Sequence, residues 1–286
     1  MSSTNEVAQA LAKTDEVKKG NTLAGLLDRV DVKKRFSDMM GNRAAGFMSS
    51  IISCSNNNKQ LKAADPMTVI SAAAMAATLD LPINPALGFA HIVPYKNGKD
   101  GTTKAQFQMG WKGFVQLAQR SRQYQTINAD VVYDGELKSH NKLTGEITYS
   151  EEDRKSDKVV GYFAYFRLIN GFEKALFMKT EDVEKHGKRY SKSFAYPGSV
   201  WKTNFDAMAL KTVVKLLISK WGPMSVDMQR AITADQGTVL NDGGKEGIPE
   251  VSFDDAVVVD QVAEPVKVEV SNVLDDSEAG TAQEPE

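Results

Sequence analysis

Hydrophobic and polar positions along the chain predict a mixed succession of helices and strands. Residues 43–57 and 66–79 read as helices, the second opened by Asp65 as N-cap and Pro66 at the first helical position, ahead of an alanine-rich run. A strand from Gly88 to Tyr95, the turn-rich KNGKDGTTK and a second strand around Ala105–Met109 predict a hairpin with a basic tip. Residues 111–122 read as a helix and 124–134 as extended chain. The apolar runs 159–169 and 172–178 are joined by Asn170-Gly171, a strong short-range hairpin signal. Acidic residues open a short helix over 180–187. A long helix is expected from Val200 to Trp221, with Ser199 as N-cap and Gly222-Pro223 as the stop, and one more over 224–234. No internal repeat is evident. The fold class expected is α+β: a small antiparallel sheet with hairpins packed against several helices.

The ends of the chain depart from this pattern. After Phe253 there is no aromatic residue and no helical period, so residues 242–286 are expected to form a disordered acidic tail, hinged at Asp242-Gly243-Gly244. Residues 1–30 read as an N-terminal arm that orders against a neighbouring subunit, which leaves 31–241 as the working core. The net charge of -2 conceals an asymmetry. The tail holds 13 Asp and Glu against two Lys, a net of -11, so residues 1–241 carry +9. A basic body with an acidic tail suits a nucleic-acid binder without proving one.

Several classes of chemistry find no support. No G-x-x-x-x-G-K-[ST] stretch marks a phosphate-binding loop, and no G-x-S-x-G marks a nucleophile elbow. His91, His140 and His186 have no helical-spacing partners, so a histidine metal site is not expected, and no cofactor is implied. Asp130, Glu136 and Lys138 have the residue types of a metal-dependent nuclease but weak spacing, and Glu151-Glu152-Asp153 reads as a solvated loop cluster. No apolar run approaches the ~20 residues of a membrane span. No secretory signal is visible and the single Cys54 reads as a small core residue, so a cytoplasmic setting is expected.

The basic residues are better organised. On the 111–122 helix, Lys112, Gln116, Gln119 and Arg120 share one ~100° sector opposite Trp111, Phe114, Val115, Leu117 and Ala118. Arg122 follows just beyond. In the predicted long helix, Asn204, Lys211 and Lys215 fall in a sector of roughly 40° on a surface otherwise apolar and expected to be buried, Trp221 included. From 185 to 220 there are eight Lys or Arg and only Asp206 as counter-charge. Buried unpaired charge is costly, so the missing anion is expected to come from outside, as phosphate. Between the two helices, Lys185, Lys188, Arg189, Lys192 and Lys202 interleave with Tyr190, Phe194, Tyr196, Trp201 and Phe205. Cations for phosphates with aromatics for base faces compose single-strand binding surfaces. Trp201 and Phe205 read as core; the other three aromatics stay open between anchoring the loop and stacking on bases.

Three stretches, LPINPALGFAHIVPY (81–95), FQMGWKGFVQLAQRSRQ (107–123) and VWKTNFDAMALKTVVKLLISKWGPMSVDMQRAI (200–232), resemble the RecT family of phage and prophage single-strand annealing recombinases. The resemblance implies a core distantly like that of eukaryotic annealing proteins, annealing without ATP or covalent chemistry, and homo-oligomeric rings or helical filaments. It also implies single-stranded DNA and the annealed duplex as ligands, and work beside a phage 5′→3′ exonuclease and a host single-stranded DNA-binding protein in the bacterial cytoplasm. The expected DNA contacts are Lys112, Gln116, Arg120, Arg122, Lys188, Arg189, Lys192, Lys202, Asn204, Lys211 and Lys215. Annealing requires one strand's phosphates to be neutralised while its base edges stay free, and many subunits to hold tens of bases in register. Residue types alone leave open a coating protein that does not anneal, or a metal-dependent nuclease.

Overall fold

The computed structural model describes residues 21–96, 101–191, 193–241 and 250–252. The acidic tail beyond 252, the first twenty residues, the tip of the basic hairpin and Lys192 lie outside the described residues.

Among the described residues, five α-helices come first: α1 (Leu23–Asp28), α2 (Val30–Met40), α3 (Ala44–Asn56), α4 (Lys59–Lys62) and α5 (Pro66–Thr78). Asp65 caps α5 as expected, its carboxylate accepting from the Met67 N–H at 2.9 Å, with Pro66 inside the first turn. The alanines of α5 leave it thin enough to be enclosed, and Ala72, Ala73, Ala74 and Ala76 have no exposed surface. Helix α5 accordingly touches α1, α2 and α3, the hairpin strands that follow, and a strand from the far end of the chain. The packed body starts before residue 31, because Leu26 and Leu27 of α1 are buried in the core.

The hairpin β1 (Ala90–Lys96) and β2 (Thr103–Met109) pairs Ala90 with Met109 and Lys96 with Thr103. Helix α6 (Trp111–Arg120) follows, with Phe114, Leu117 and Ala118 buried. Strands β3 (Tyr124–Tyr133), β6 (Val159–Leu168) and β7 (Glu173–Lys179) form an antiparallel sheet in the order β3-β6-β7, the last two joined at Asn170-Gly171 as predicted. The insertion between β3 and β6 is a small hairpin, β4 (Leu137–His140) with β5 (Ile147–Tyr149), too short and polar to be seen in the hydrophobic pattern. Along β6, Tyr162, Ala164, Phe166 and Leu168 are buried, while Phe163, Tyr165 and Arg167 face the other way.

Helix α7 (Thr180–Tyr190) follows directly. The long helix expected from Val200 to Trp221 is interrupted: α8 spans Val200–Thr203 and α9 spans Phe205–Trp221. The break is at Asn204, which leaves helical geometry (φ -151°, ψ 70°) and turns its side chain to accept from the Ala207 N–H at 3.3 Å. Asparagine caps well, and Asp206 in the first turn adds favourable charge, so two short-range preferences outweigh continuity. Helix α10 (Val226–Ala234), capped by Ser225, is the last helix among the described residues. Beyond it the chain returns to the hairpin: Gln236 N–H donates to the Phe107 carbonyl at 3.0 Å, and Gly237 bridges Phe107. Strand β8 (Thr238–Asn241) then pairs with β9 (Glu250–Ser252), so the segment expected to be wholly tail contributes a strand.

Candidate nucleic-acid interface

Helix α9 runs beneath the three-stranded sheet, with α6 against one flank and α7 against another. Its first turn is tied to the sheet by Tyr162, whose hydroxyl donates to Asp206 Oδ1 at 2.6 Å. Asp206 is thereby engaged with a tyrosine and is not the partner of the helix lysines.

That partner is Asp235, at the end of α10. Lys211 Nζ donates to Asp235 Oδ1 at 2.8 Å, and Lys215 Nζ to Oδ2 at 2.7 Å. The Met109 N–H donates to the same carboxylate at 2.9 Å, fixing β2 to the cluster. The Asp235 side chain is 0% exposed, that of Lys211 6% and that of Lys215 30%. The expectation that these lysines require an outside anion is therefore overturned. Burial alone would push the Asp235 carboxyl up, but the two ammonium groups and their hydrogen bonds outweigh it and hold the carboxyl below the usual carboxylate range. One carboxylate facing two cations leaves a local excess of positive charge, and Lys215 is the lysine that reaches solvent. Near this cluster, His91 and His186 are held below the usual imidazole range. Burial pushes His91 down and Lys211 adds to it; burial, then Lys215, Arg189 and Lys220, do the same to His186.

Lys188 and Arg189 end α7, and Lys202 lies on α8, where the chain doubles back. Lys188 and Lys202 share an anchor in Phe194, buried to 6% exposure against Trp201 with ring centroids 5.3 Å apart. Lys202 Nζ sits 4.9 Å from the Phe194 centroid and Lys188 Nζ 5.8 Å. Gly187 makes this packing possible, since a Cβ there would lie 2.6 Å from Phe194 Cδ2 and 3.0 Å from Trp201. Arg189 lies 5.2 Å from the Tyr190 ring, itself packed 4.5 Å from His186. Tyr196, at the loop apex, is 64% exposed. The open question about these aromatics thus divides: Phe194 anchors the loop, Tyr190 is half-buried, and Tyr196 presents its ring to solvent.

On α6 the expected face holds in part. Lys112 and Gln119 are exposed and Gln116 is half-buried. Arg120 is exposed at the edge but its donors are committed, Nη1 to the Leu79 carbonyl and Nη2 to the Asp80 carbonyl, each at 2.8 Å. It closes the C-terminal end of α5, a task invisible to a helical wheel. Arg122 is exposed in the turn after α6, and Asn204 is the α9 cap already described. The structure therefore brings Lys188 and Lys202 together over Phe194, leaves Arg189 exposed against Tyr190, and sequesters Lys211.

Two features escaped sequence reasoning. Asp235 lies beyond residues 185–220, although two lysines one turn apart on an apolar helix signal an acid somewhere in the fold. Trp221, assigned to the core, is 52% exposed. Of the residues considered for metal chemistry, Glu136 Oε2 accepts from the Tyr133 N–H at 2.7 Å, and Asp153 pairs with Lys138 at 2.7 Å. Among the described residues no group of three His, Cys, Asp or Glu side chains is placed to hold a metal ion. Cys54 is half-buried with its thiol on the Ile83 carbonyl at 3.5 Å, and burial pushes its pKa up.

Comparison with known proteins follows the same stretch of chain. The sequence profile of the RecT family matches residues 45–251. An uncharacterized protein, YqaK, of Bacillus subtilis (strain 168) is 50% identical over 219 residues, covering 77% of this chain and 74% of that protein. Protein RecT of Escherichia coli (strain K12) is 30% identical over 175 residues, covering 60% of this chain and 64% of that protein.

Proposed function

The chain belongs to the RecT family of single-strand annealing recombination proteins, and on that basis we propose that it binds single-stranded DNA on the basic loop joining α7 to α8 and anneals complementary strands without ATP. The observation that carries this reading is the approach of Lys188 and Lys202 to Phe194, with Arg189 exposed against Tyr190 and the Tyr196 ring exposed in the loop between the two helices. Cations on the two helix ends that flank the loop neutralise phosphates, and an exposed ring offers a base a stacking surface without reading its hydrogen-bonding edge. Bases held in this way remain available to test a partner. Lys112, Gln116, Arg122, Lys192 and the partly exposed Lys215 are assigned to the same DNA-binding role.

A body this size spans few nucleotides, so recognition over tens of bases calls for many copies side by side as a ring or helical filament. The part of the N-terminal arm that precedes α1 is the segment we assign to contacts between copies. The acidic tail is assigned to partners, among them a phage 5′→3′ exonuclease and the host's single-stranded DNA-binding protein in the bacterial cytoplasm. Its charge also keeps it off the DNA.

Backbone-dominated binding makes a quantitative demand. Affinity for oligo(dT) and for mixed-sequence single strands is expected to be similar and to fall linearly on a log–log plot against salt. The slope is expected near -0.7 for each phosphate neutralised, hence about -3 for four contacts. Fluorescence anisotropy across a salt series measures it, and a flat response or a strong preference for one sequence would contradict the reading.

A further inference from the structure

Trp221 closes α9 with 52% of its surface exposed, whereas Trp201 is 5% exposed and Trp111 is half-buried. Its setting is specific. Lys174 of β7 holds its Nζ 5.0 Å from the indole centroid while donating to the Thr144 carbonyl at 2.7 Å. Phe172, in the β6–β7 turn, is 43% exposed, and Ile169 beside it 71%. The Phe172 ring packs on Phe166, and Phe166 on Tyr124. Gly222, next to Trp221, packs so closely on the Tyr124 hydroxyl that it has no room for a Cβ. Turn and helix end therefore share one floor. Two further exposed cations border it: Lys220 precedes Trp221, and Arg122 lies in the turn whose Gln123 carbonyl accepts from the Ile169 N–H at 3.0 Å. Glu173, the neighbouring acid, is bound to Tyr165 and Arg167.

Clustered exposed aromatics signal a binding surface. The cations around them select the occupant. An ammonium against one side of the indole, with two more on the rim, suits a ligand that brings π faces and negative charge together, and a single nucleic-acid strand does so. Helix α9 also packs against α7, the helix whose last turn carries Lys188 and Arg189.

We propose that Trp221 stacks on a base of the bound single strand, with Lys174, Lys220 and Arg122 taking flanking phosphates, so that the strand runs from the α7–α8 loop to the end of α9. This rests on the reading that the chain binds single-stranded DNA. The test compares wild type, Trp221→Phe and Trp221→Ala, with oligo(dT) as probe, by intrinsic fluorescence and by anisotropy of labelled strand. Oligo(dT) is expected to quench wild-type fluorescence. Trp221→Phe is expected to lose most of the quench yet bind within about threefold of wild type, and Trp221→Ala to bind about tenfold more weakly, the order of one base–aromatic stack. Quenching undiminished in Trp221→Phe, or wild-type affinity in Trp221→Ala, overturns the proposal while leaving DNA binding itself intact. So does a Trp221→Ala protein that loses self-association without DNA but keeps its affinity per subunit, since the surface is then an interface between copies. A wild-type chain that does not bind oligo(dT) at all defeats both readings.

Discussion

Asp235→Ala is expected to destabilise the protein by about 3–5 kcal/mol, the range for removing one partner of a buried charge pair. The carboxylate is fully enclosed and is the acid that meets both Lys211 and Lys215. Its loss leaves the Lys211 ammonium, 6% exposed, with no counter-charge, and frees the Met109 N–H as well. Three elements meet there, α9, β2 and the end of α10, so the whole body rather than one loop is expected to loosen. Lys211→Met is the instructive contrast. The straight apolar chain follows the path of the lysine stem, and Asp235 keeps Lys215 and Met109, so the change is expected to stay under about 1.5 kcal/mol. Denaturant unfolding of the two variants measures both. If Lys211→Met destabilises as much as Asp235→Ala, the cluster is not organised around its carboxylate. The pH dependence has a definite sign. A carboxyl held below its unfolded value contributes fully above about pH 4, and that contribution disappears as pH falls through the depressed folded value.

Reversing charge on the helix ends that flank the loop is expected to do the opposite, leaving the fold and removing the ligand. Arg189 and Lys202 are both exposed, and what holds the loop is Phe194 and Trp201 beneath them. Arg189→Glu with Lys202→Glu is therefore expected to unfold within about 0.5 kcal/mol of wild type, as surface substitutions do. Each site loses a charge-assisted contact of about 1.5–3 kcal/mol, so affinity for single strands is expected to drop by about two to four orders of magnitude. Electrophoretic mobility shift at low salt, paired with thermal unfolding, separates the effects. Wild-type affinity in this variant would move the principal binding surface away from the loop.

Much of the architecture was legible because its signals are local. Asp65 with Pro66, and Asn170 with Gly171, announce their cap and turn within two residues, and the structure uses both. The break at Asn204 was also local, yet the apolar run on either side of it suggested one helix. The site was harder, since a helical wheel reports which residues share a face and not what lies opposite. Lys211 and Lys215 were placed together correctly, but their anion lies 20 to 24 positions downstream on another element. Arg120 shows the same limit: its donors reach carbonyls some 40 residues upstream. Trp221 counted as core because its helix is apolar, and only the placement of the β6–β7 turn and Lys174 shows that this last turn emerges from the body. The loop cations were legible because they cluster in sequence as well as in space.

The central claim is that the bound strand keeps its bases free to pair. Stopped-flow mixing of two complementary oligonucleotides, one carrying a fluorophore and the other a quencher, tests it directly with protein present and all nucleotide cofactors omitted. Duplex formation is expected to be at least about tenfold faster than the protein-free reaction under conditions where anisotropy shows the strands bound, as cations that screen two polyanions without covering base edges require. A rate no faster than the spontaneous one at saturating protein, or an acceleration that appears only when ATP is added, would contradict it.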